Sequence, residues 1–134
     1  MKSKFCRIAI VSGFVLAAPS VMASTINATL RDDAIQLDTN SVAAGKVTFM
    51  ITNASANLVH ELVVLKPNLP EDQLPVKANG KVNEAKLGNK GEVEDITPGK
   101  TKKLTLKLTP GNYVLVCNMP GHYKSGMRTA FTVN

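Results

Sequence analysis

Residues 111–127 read GNYVLVCNMPGHYKSGM, and this stretch determines how the rest of the sequence is interpreted. The run from Tyr113 to Val116 is strand-like and leads directly into Cys117. The polar, Gly- and Pro-containing residues that follow carry His122 and then Met127, so the three residues have the spacing Cys-x4-His-x4-Met. A thiolate, an imidazole and a thioether within eleven residues indicate a metal site formed by the end of a strand and the loop after it.

The chain contains two histidines, and the other one, His60, lies in the separate apolar run 58–65. Two His and one Cys with a weak axial Met form the ligand set of a blue-copper electron-transfer site. Thiolate and thioether are soft donors that suit Cu(I), whereas zinc would be satisfied without the thioether of Met127. The sequence therefore predicts one copper ion with His60, Cys117, His122 and Met127 as its ligands.

Each of these residues also has an ordinary structural interpretation. A lone histidine in an apolar strand is usually packed in the core, and a lone methionine or buried cysteine often acts as a hydrophobic side chain. Small exported domains, however, usually contain cysteines in pairs, and Cys117 is the one cysteine left after the leader described below. A thiolate bound to a metal is protected from oxidation, so the combination favours a metal site.

The N-terminus predicts export. Three basic residues within the first seven precede the apolar stretch 8–18, and Val-Met-Ala at 21–23 matches a small-x-small cleavage site. The apolar stretch is well below the roughly 20 residues that span a bilayer, which argues against stable membrane insertion. We therefore expect a signal peptide at 1–23, one mature domain at 24–134, and a periplasmic or otherwise exported protein.

Charge excludes one class of partner. Loss of the three basic leader residues lowers the net charge from +6 to about +3. The chain has no arginine cluster and no interleaved aromatic platform, so we expect no nucleic-acid binding. The lysines between Lys66 and Lys107 are scattered, which is typical of a solvated surface that can still favour an acidic partner.

Alternation of apolar and polar residues predicts an all-β fold. It is clearest at residues 46–52 and 103–108, and weaker strand candidates lie at 25–31, 34–38 and 128–133. Several short strands in about 110 residues indicate an antiparallel sandwich or barrel. The segment 66–91 is rich in Pro and Gly, and we expect a long excursion there with at most a short helix at 82–87.

The same alternation predicts how the ligands are presented. Cys117 falls on the face of its strand that also carries Leu115, and His60 falls on the face that carries Leu62. Both ligands should therefore enter the site from the core side of the sheet.

At these residues the chain resembles the cupredoxin family of small blue copper proteins. The resemblance covers most of the predicted mature chain, and the x4/x4 spacing is similar to that of auracyanin and rusticyanin. It implies a Greek-key β-sandwich with one long loop insertion, one type 1 copper, and transfer of single electrons between larger redox partners. In this resemblance His60, Cys117 and His122 match the equatorial ligands, Met127 matches the axial ligand, and Tyr113 matches the tyrosine that anchors the strand entering the site.

One departure from the family concerns the residues after two ligands. Many members have Asn after the first histidine and Ser or Thr after the cysteine, whereas this chain has Glu61 and Asn118. One expectation is that the carboxylate of Glu61 accepts from the amide of Asn118 and joins the two ligand segments. The alternative is that Glu61 points to water or pairs with a lysine.

These patterns predict an exported, monomeric one-electron carrier and not an enzyme. Larger redox proteins should dock transiently near His122, beside Met119, Pro120 and Tyr123. The alternative function is a periplasmic copper-binding protein for resistance, sequestration or delivery. The absence of a Met-rich or His-rich tract argues against that alternative.

Overall fold

The alternating segments of the sequence form strands in the computed structural model, which describes residues 13–18, residue 20 and residues 22–134. Most of the predicted signal peptide, namely residues 1–12, 19 and 21, lies outside the described residues, so the leader stays a prediction. The elements in chain order are β1 (Ala23–Arg31), β2 (Ala34–Leu37), β3 (Ser41–Val42), β4 (Gly45–Asn53), β5 (His60–Leu65), β6 (Asn89–Ile96), β7 (Thr101–Leu108), β8 (Gly111–Val116), α1 (His122–Ser125) and β9 (Arg128–Val133).

The strands form two sheets, with orders β2-β1-β4-β7 and β3-β9-β8-β5-β6. The predicted all-β sandwich is therefore confirmed, but the prediction that its strands pair antiparallel is wrong for two pairs. β1 pairs with β4 and β3 pairs with β9 in parallel. The reason is connectivity: the chain leaves the first sheet after β2, forms β3 at the edge of the second sheet, and returns beside β1 in the same direction.

The main core lies between the two sheets. Along β4 every second residue is buried, and Phe49 meets Phe131 of β9 edge to face with ring centroids 5.4 Å apart. Leu62, Leu115 and Cys117 all belong to this core, as the alternation predicted. Its other fully or nearly fully buried members include Ile26, Leu30, Val47, Ile51, Val64, Ile96, Met127 and Val133.

The excursion after β5 is shorter than predicted and contains no helix at 82–87. It ends at residue 88, because β6 begins at Asn89. Residues 84–88 form turns. The amide of Leu87 bonds the carbonyl of Asn83, but this single turn stops at Gly88, whose φ of 71° is left-handed.

The excursion covers the outer face of β5 and β8. Leu74, Val82 and Leu87 of the excursion form a second buried cluster with side chains from the two strands and with Tyr123. β5 is consequently buried at every position, which explains why its sequence is a continuous apolar run broken only at its start by a histidine and a glutamate.

The single helix within the described residues, α1, was not predicted and lies in the loop between β8 and β9. No helix among the described residues has the length and apolar character needed to cross a membrane.

Candidate metal centre

Three of the four predicted ligands present their donor atoms to one another. The Sγ of Cys117 lies 3.4 Å from Nδ1 of His122 and 3.7 Å from Nδ1 of His60, and the two Nδ1 atoms are 3.2 Å apart. All three donor atoms lie within 4.8 Å of one another. Residues separated by 62 positions in the sequence therefore form one compact donor set.

Strand pairing brings these residues together. β5 and β8 are antiparallel neighbours, with Val63 opposite Val116, so His60 at the start of β5 lies near the residue that follows β8. Cys117 occupies that position and continues the strand into the loop. A bulge between His60 and Leu62 shifts the pairing of β5 with β6 at the ligand itself.

The loop 117–127 is closed by its own backbone. The amide of Cys117 donates to the carbonyl of Met127 at 3.1 Å, and the amide of Met127 donates to the carbonyl of His122 at 3.1 Å. Gly121, with φ of 83°, permits the turn that starts α1 directly at His122. Met127 is fully buried in the main core, so the structure places the predicted axial residue at the inner side of the loop.

The protein excludes water from most of this site. His60, Cys117 and Met127 are fully buried, whereas His122 is partly exposed. The site thus has one side in contact with solvent, and that side is the imidazole of His122.

The electrostatics of the donors fit a soft metal ion. Burial raises the pKa of the Cys117 thiol, although the backbone N–H groups of Glu61 and Met119 partly oppose this effect by hydrogen bonding to the sulfur. Burial, and then the neighbouring His60, lower the pKa of His122 and favour its neutral, ligating form. A metal that binds thiolate strongly is needed to displace the thiol proton. Two imidazoles, a thiolate and a thioether suit copper in both of its oxidation states.

Asn118 makes no hydrogen bond to Glu61, so the prediction that these two side chains join the ligand segments is wrong. Both amide hydrogens of Asn118 are used elsewhere, by the carbonyl of Val82 at 3.2 Å and a carboxylate oxygen of Glu84 at 2.5 Å. Its side-chain oxygen accepts from the amide of Val82 at 2.8 Å. Asn118 therefore fixes the excursion to the ligand loop and does not join the two ligand segments.

Glu61 plays a different part through its backbone. Its N–H lies 3.4 Å from Sγ of Cys117 and donates to it, which connects the His60 segment to the cysteine. Its side chain makes no hydrogen bond or ion pair with the described residues, the residue is 5% exposed, and burial raises its pKa.

The excursion also supports the ligand loop through Tyr123. The hydroxyl of Tyr123 donates to the carbonyl of Glu71 at 2.7 Å and accepts from the amide of Leu74 at 2.9 Å. Tyr123 is buried, so its predicted place in an exposed patch beside His122 is wrong. Pro120 is exposed and Met119 is partly buried, which leaves these two residues at the surface near His122.

Sequence reasoning missed one residue at this site. Oδ1 of Asp32, in the turn between β1 and β2, lies 3.2 Å from Nε2 of His60, on the ring edge opposite Nδ1. The only signal in the sequence is an Asp-Asp pair between two strand candidates, which predicts a turn and nothing about a histidine 28 residues away.

Comparisons with known proteins agree with this geometry. A family model described as the sulfocyanin (SoxE) domain matches residues 15–134. No curated protein matches the chain in sequence. Among solved structures, auracyanin from Roseiflexus castenholzii is 20% identical with a TM-score of 0.65, and the alignment covers 86% of this chain and 99% of that one.

Two further solved structures are similar. Auracyanin A from Chloroflexus aurantiacus is 23% identical with a TM-score of 0.62, covering 84% of this chain and 100% of that one. Rusticyanin from Thiobacillus ferrooxidans is 17% identical with a TM-score of 0.63, covering 82% of this chain and 76% of that one. Likeness at this identity shows a shared fold, so the β-sandwich implied by the resemblance to cupredoxins is confirmed.

Proposed function

We propose that this chain, which belongs to the sulfocyanin (SoxE) domain family of cupredoxins, is an exported carrier of single electrons. In this proposal His60, Cys117 and His122 hold one type 1 copper ion and Met127 is its axial ligand. The observation that carries the proposal is the convergence of two Nδ1 atoms and one Sγ within 4.8 Å. When bound, copper supplies a one-electron couple between Cu(I) and Cu(II).

The protein keeps the donor atoms of the site in fixed positions. His60 and Cys117 belong to the ends of adjacent paired strands, and the loop to Met127 is closed by backbone hydrogen bonds. The excursion restrains the outside of that loop through Asn118 and Tyr123. A donor set that is fixed on all sides changes little between oxidation states, which keeps the reorganisation at each electron transfer small.

Electrons would enter and leave through His122. It is the one histidine of the site that is partly exposed, and Met119 and Pro120 lie beside it at the surface. A small apolar area around an exposed ligand suits short-lived contacts with larger redox proteins, since turnover requires weak interfaces. We propose that the protein acts as a monomer in these encounters.

Export is part of the proposal. β1 begins at Ala23, the last residue of the predicted leader, so cleavage after Ala23 would leave the rest of β1 to pair with β4. Cys117 has no disulfide partner among the described residues, and in an oxidising compartment its burial and its binding to copper would protect the thiolate.

The electron self-exchange rate of the copper-loaded protein tests the function. Mixtures of the Cu(I) and Cu(II) forms should show exchange-broadened NMR signals for residues near His122, in proportion to the Cu(II) fraction. The same mixtures of a His122→Ala variant should not show this broadening at the wild-type rate. Slow exchange in a wild-type protein that binds copper tightly would contradict the carrier role and favour storage or delivery of copper.

A further inference from the structure

The buried imidazole of His60 has one hydrogen-bond partner on its outer edge. Nδ1 faces Cys117 and His122, and Nε2 lies 3.2 Å from Oδ1 of Asp32. The imidazole is fully buried, whereas the Asp32 side chain is 58% exposed. A buried ring N–H without a partner loses its hydrogen bond to water and gains none in return, so this contact satisfies a group that would otherwise destabilise the fold.

Asp32 lies close to the ligand loop. It is in the two-residue turn between β1 and β2, and its carbonyl oxygen is 3.2 Å from the hydroxyl of Ser125, whose shorter hydrogen bond, at 2.8 Å, goes to the carbonyl of His122. A Cβ atom at Gly126 would collide with the carbonyl oxygen of Asp33 in the same turn. The turn and the loop that carries His122 and Met127 are therefore packed directly against each other.

The carboxylate is also stabilised in its charged form. Hydrogen bonding from Ser55 lowers the pKa of Asp32, and hydrogen bonding from His60 lowers it further. Ser55 is itself buried and accepts the backbone N–H groups of Asn57 and Leu58, which orients its hydroxyl.

We propose that Asp32 is a positioning residue for the copper site: its carboxylate accepts the Nε2–H of His60 and so leaves Nδ1 unprotonated and directed at Cys117 and His122. An outer carboxylate also makes the imidazole a stronger donor, which favours Cu(II) over Cu(I). This inference rests on the proposed function, because it takes His60 as a ligand.

The test uses three variants of the full chain. Asp32→Asn keeps the shape and removes the charge, and Asp32→Ala removes the acceptor. Asp33→Asn is the matched control, since it removes the same charge from the neighbouring residue, whose side chain makes no hydrogen bond to His60. Two quantities are measured: the histidine ring tautomer by ¹⁵N NMR of the copper-free protein, well above the ordinary histidine pKa of about 6.5, and the reduction potential of the copper-loaded protein.

We expect the wild type and Asp33→Asn to hold His60 in the Nε2–H tautomer and Asp32→Ala to show a mixture of tautomers. In Asp32→Asn and Asp32→Ala the ratio of Cu(II) to Cu(I) affinity should fall about tenfold, the lower end of the usual effect of such outer partners. For a one-electron couple this raises the potential by about 59 mV. Asp33→Asn should produce less than half of that shift.

Unchanged tautomer and potential in both Asp32 variants would overturn the proposal, and so would an equal potential shift in Asp33→Asn. If Asp32→Ala fails to fold, Asp32→Asn still decides the matter through its potential. Failure of the proposed function has a different signature: the wild type itself would show no thiolate–copper absorption, while the tautomer of the copper-free protein would still report on Asp32.

Discussion

Replacement of Tyr123 by phenylalanine tests whether the excursion is a structural support of the ligand loop. The ring fills the second buried cluster, and phenylalanine preserves that packing. The variant removes only the hydroxyl, which donates to the carbonyl of Glu71 and accepts from the amide of Leu74. Any loss of stability therefore reports on these two hydrogen bonds, which are among those that connect residues 66–88 to the loop.

The expected loss is about 2 kcal/mol of unfolding free energy. The hydrogen bond to Leu74 is buried, and a buried donor left without a partner costs about 1–3 kcal/mol. Glu71 is partly exposed, so water can replace the hydroxyl at its carbonyl and the second loss should be about 0.5 kcal/mol. A total of about 2 kcal/mol corresponds to a roughly 30-fold change in the unfolding equilibrium constant.

Urea denaturation of the copper-free protein measures this quantity, because copper would add stability by mass action. Hydrogen exchange at the amide of Leu74 should become faster in Tyr123→Phe. Tyr113→Phe is the matched control: its hydroxyl bonds the carbonyl of Thr109 near the start of β8, far along the strand from Cys117. A loss below about 0.5 kcal/mol in Tyr123→Phe, with unchanged exchange at Leu74, would refute the contribution of the Tyr123 hydroxyl to this support.

Three other changes have defined outcomes. Met127→Leu should keep copper bound but raise the reduction potential measured by voltammetry, because the axial donor tunes redox balance while the other three ligands supply most of the binding; complete loss of copper would make Met127 a principal ligand. Glu61→Gln should raise the reduction potential, since it removes the carboxyl group of a residue that follows His60 directly and is only 5% exposed. An unchanged potential would show that this carboxyl group does not act on the metal. Asp38 accepts hydrogen bonds from the side chain and backbone of Asn27, which lower its pKa below 3.8. The contribution of Asp38 to stability is therefore present above about pH 3.8 and is lost as the pH falls through the lower pKa of the folded state. Urea denaturation in acid should show that stability falls more steeply with pH in the wild type than in Asp38→Asn. Equal slopes would contradict this.

The sequence predicted the features that depend on local spacing. The interval from Cys117 to Met127 predicted three donors, and His60 was added because the chain contains only one other histidine. Alternation placed His60 and Cys117 on the core faces of their strands, where the structure has them. Ligand spacing and strand alternation are both properties of short segments, so the sequence of each segment is enough to predict them.

The features that depend on contacts between distant segments were missed or predicted wrongly. The contact of Asp32 with His60 arises from the packing of a turn against the ligand loop, and no pattern within either segment specifies it. Burial of Tyr123 and the pairing of Asn118 with Glu84 both follow from the path of the excursion, which the sequence described only as irregular. The parallel pairing of β1 with β4 likewise depends on the path of the chain through β3 in the other sheet.

Titration of the copper-free protein with Cu(II), followed by visible absorption, tests the central claim that Cys117 and its neighbours bind one redox-active copper. Intense thiolate-to-Cu(II) absorption should grow until one equivalent of copper is bound. The Cys117→Ser variant should show none of this absorption, because a serine hydroxyl is a poor substitute for a soft thiolate. Persistence of the absorption in Cys117→Ser, or its absence from the wild type at saturating copper, would show that Cys117 does not bind copper as a thiolate.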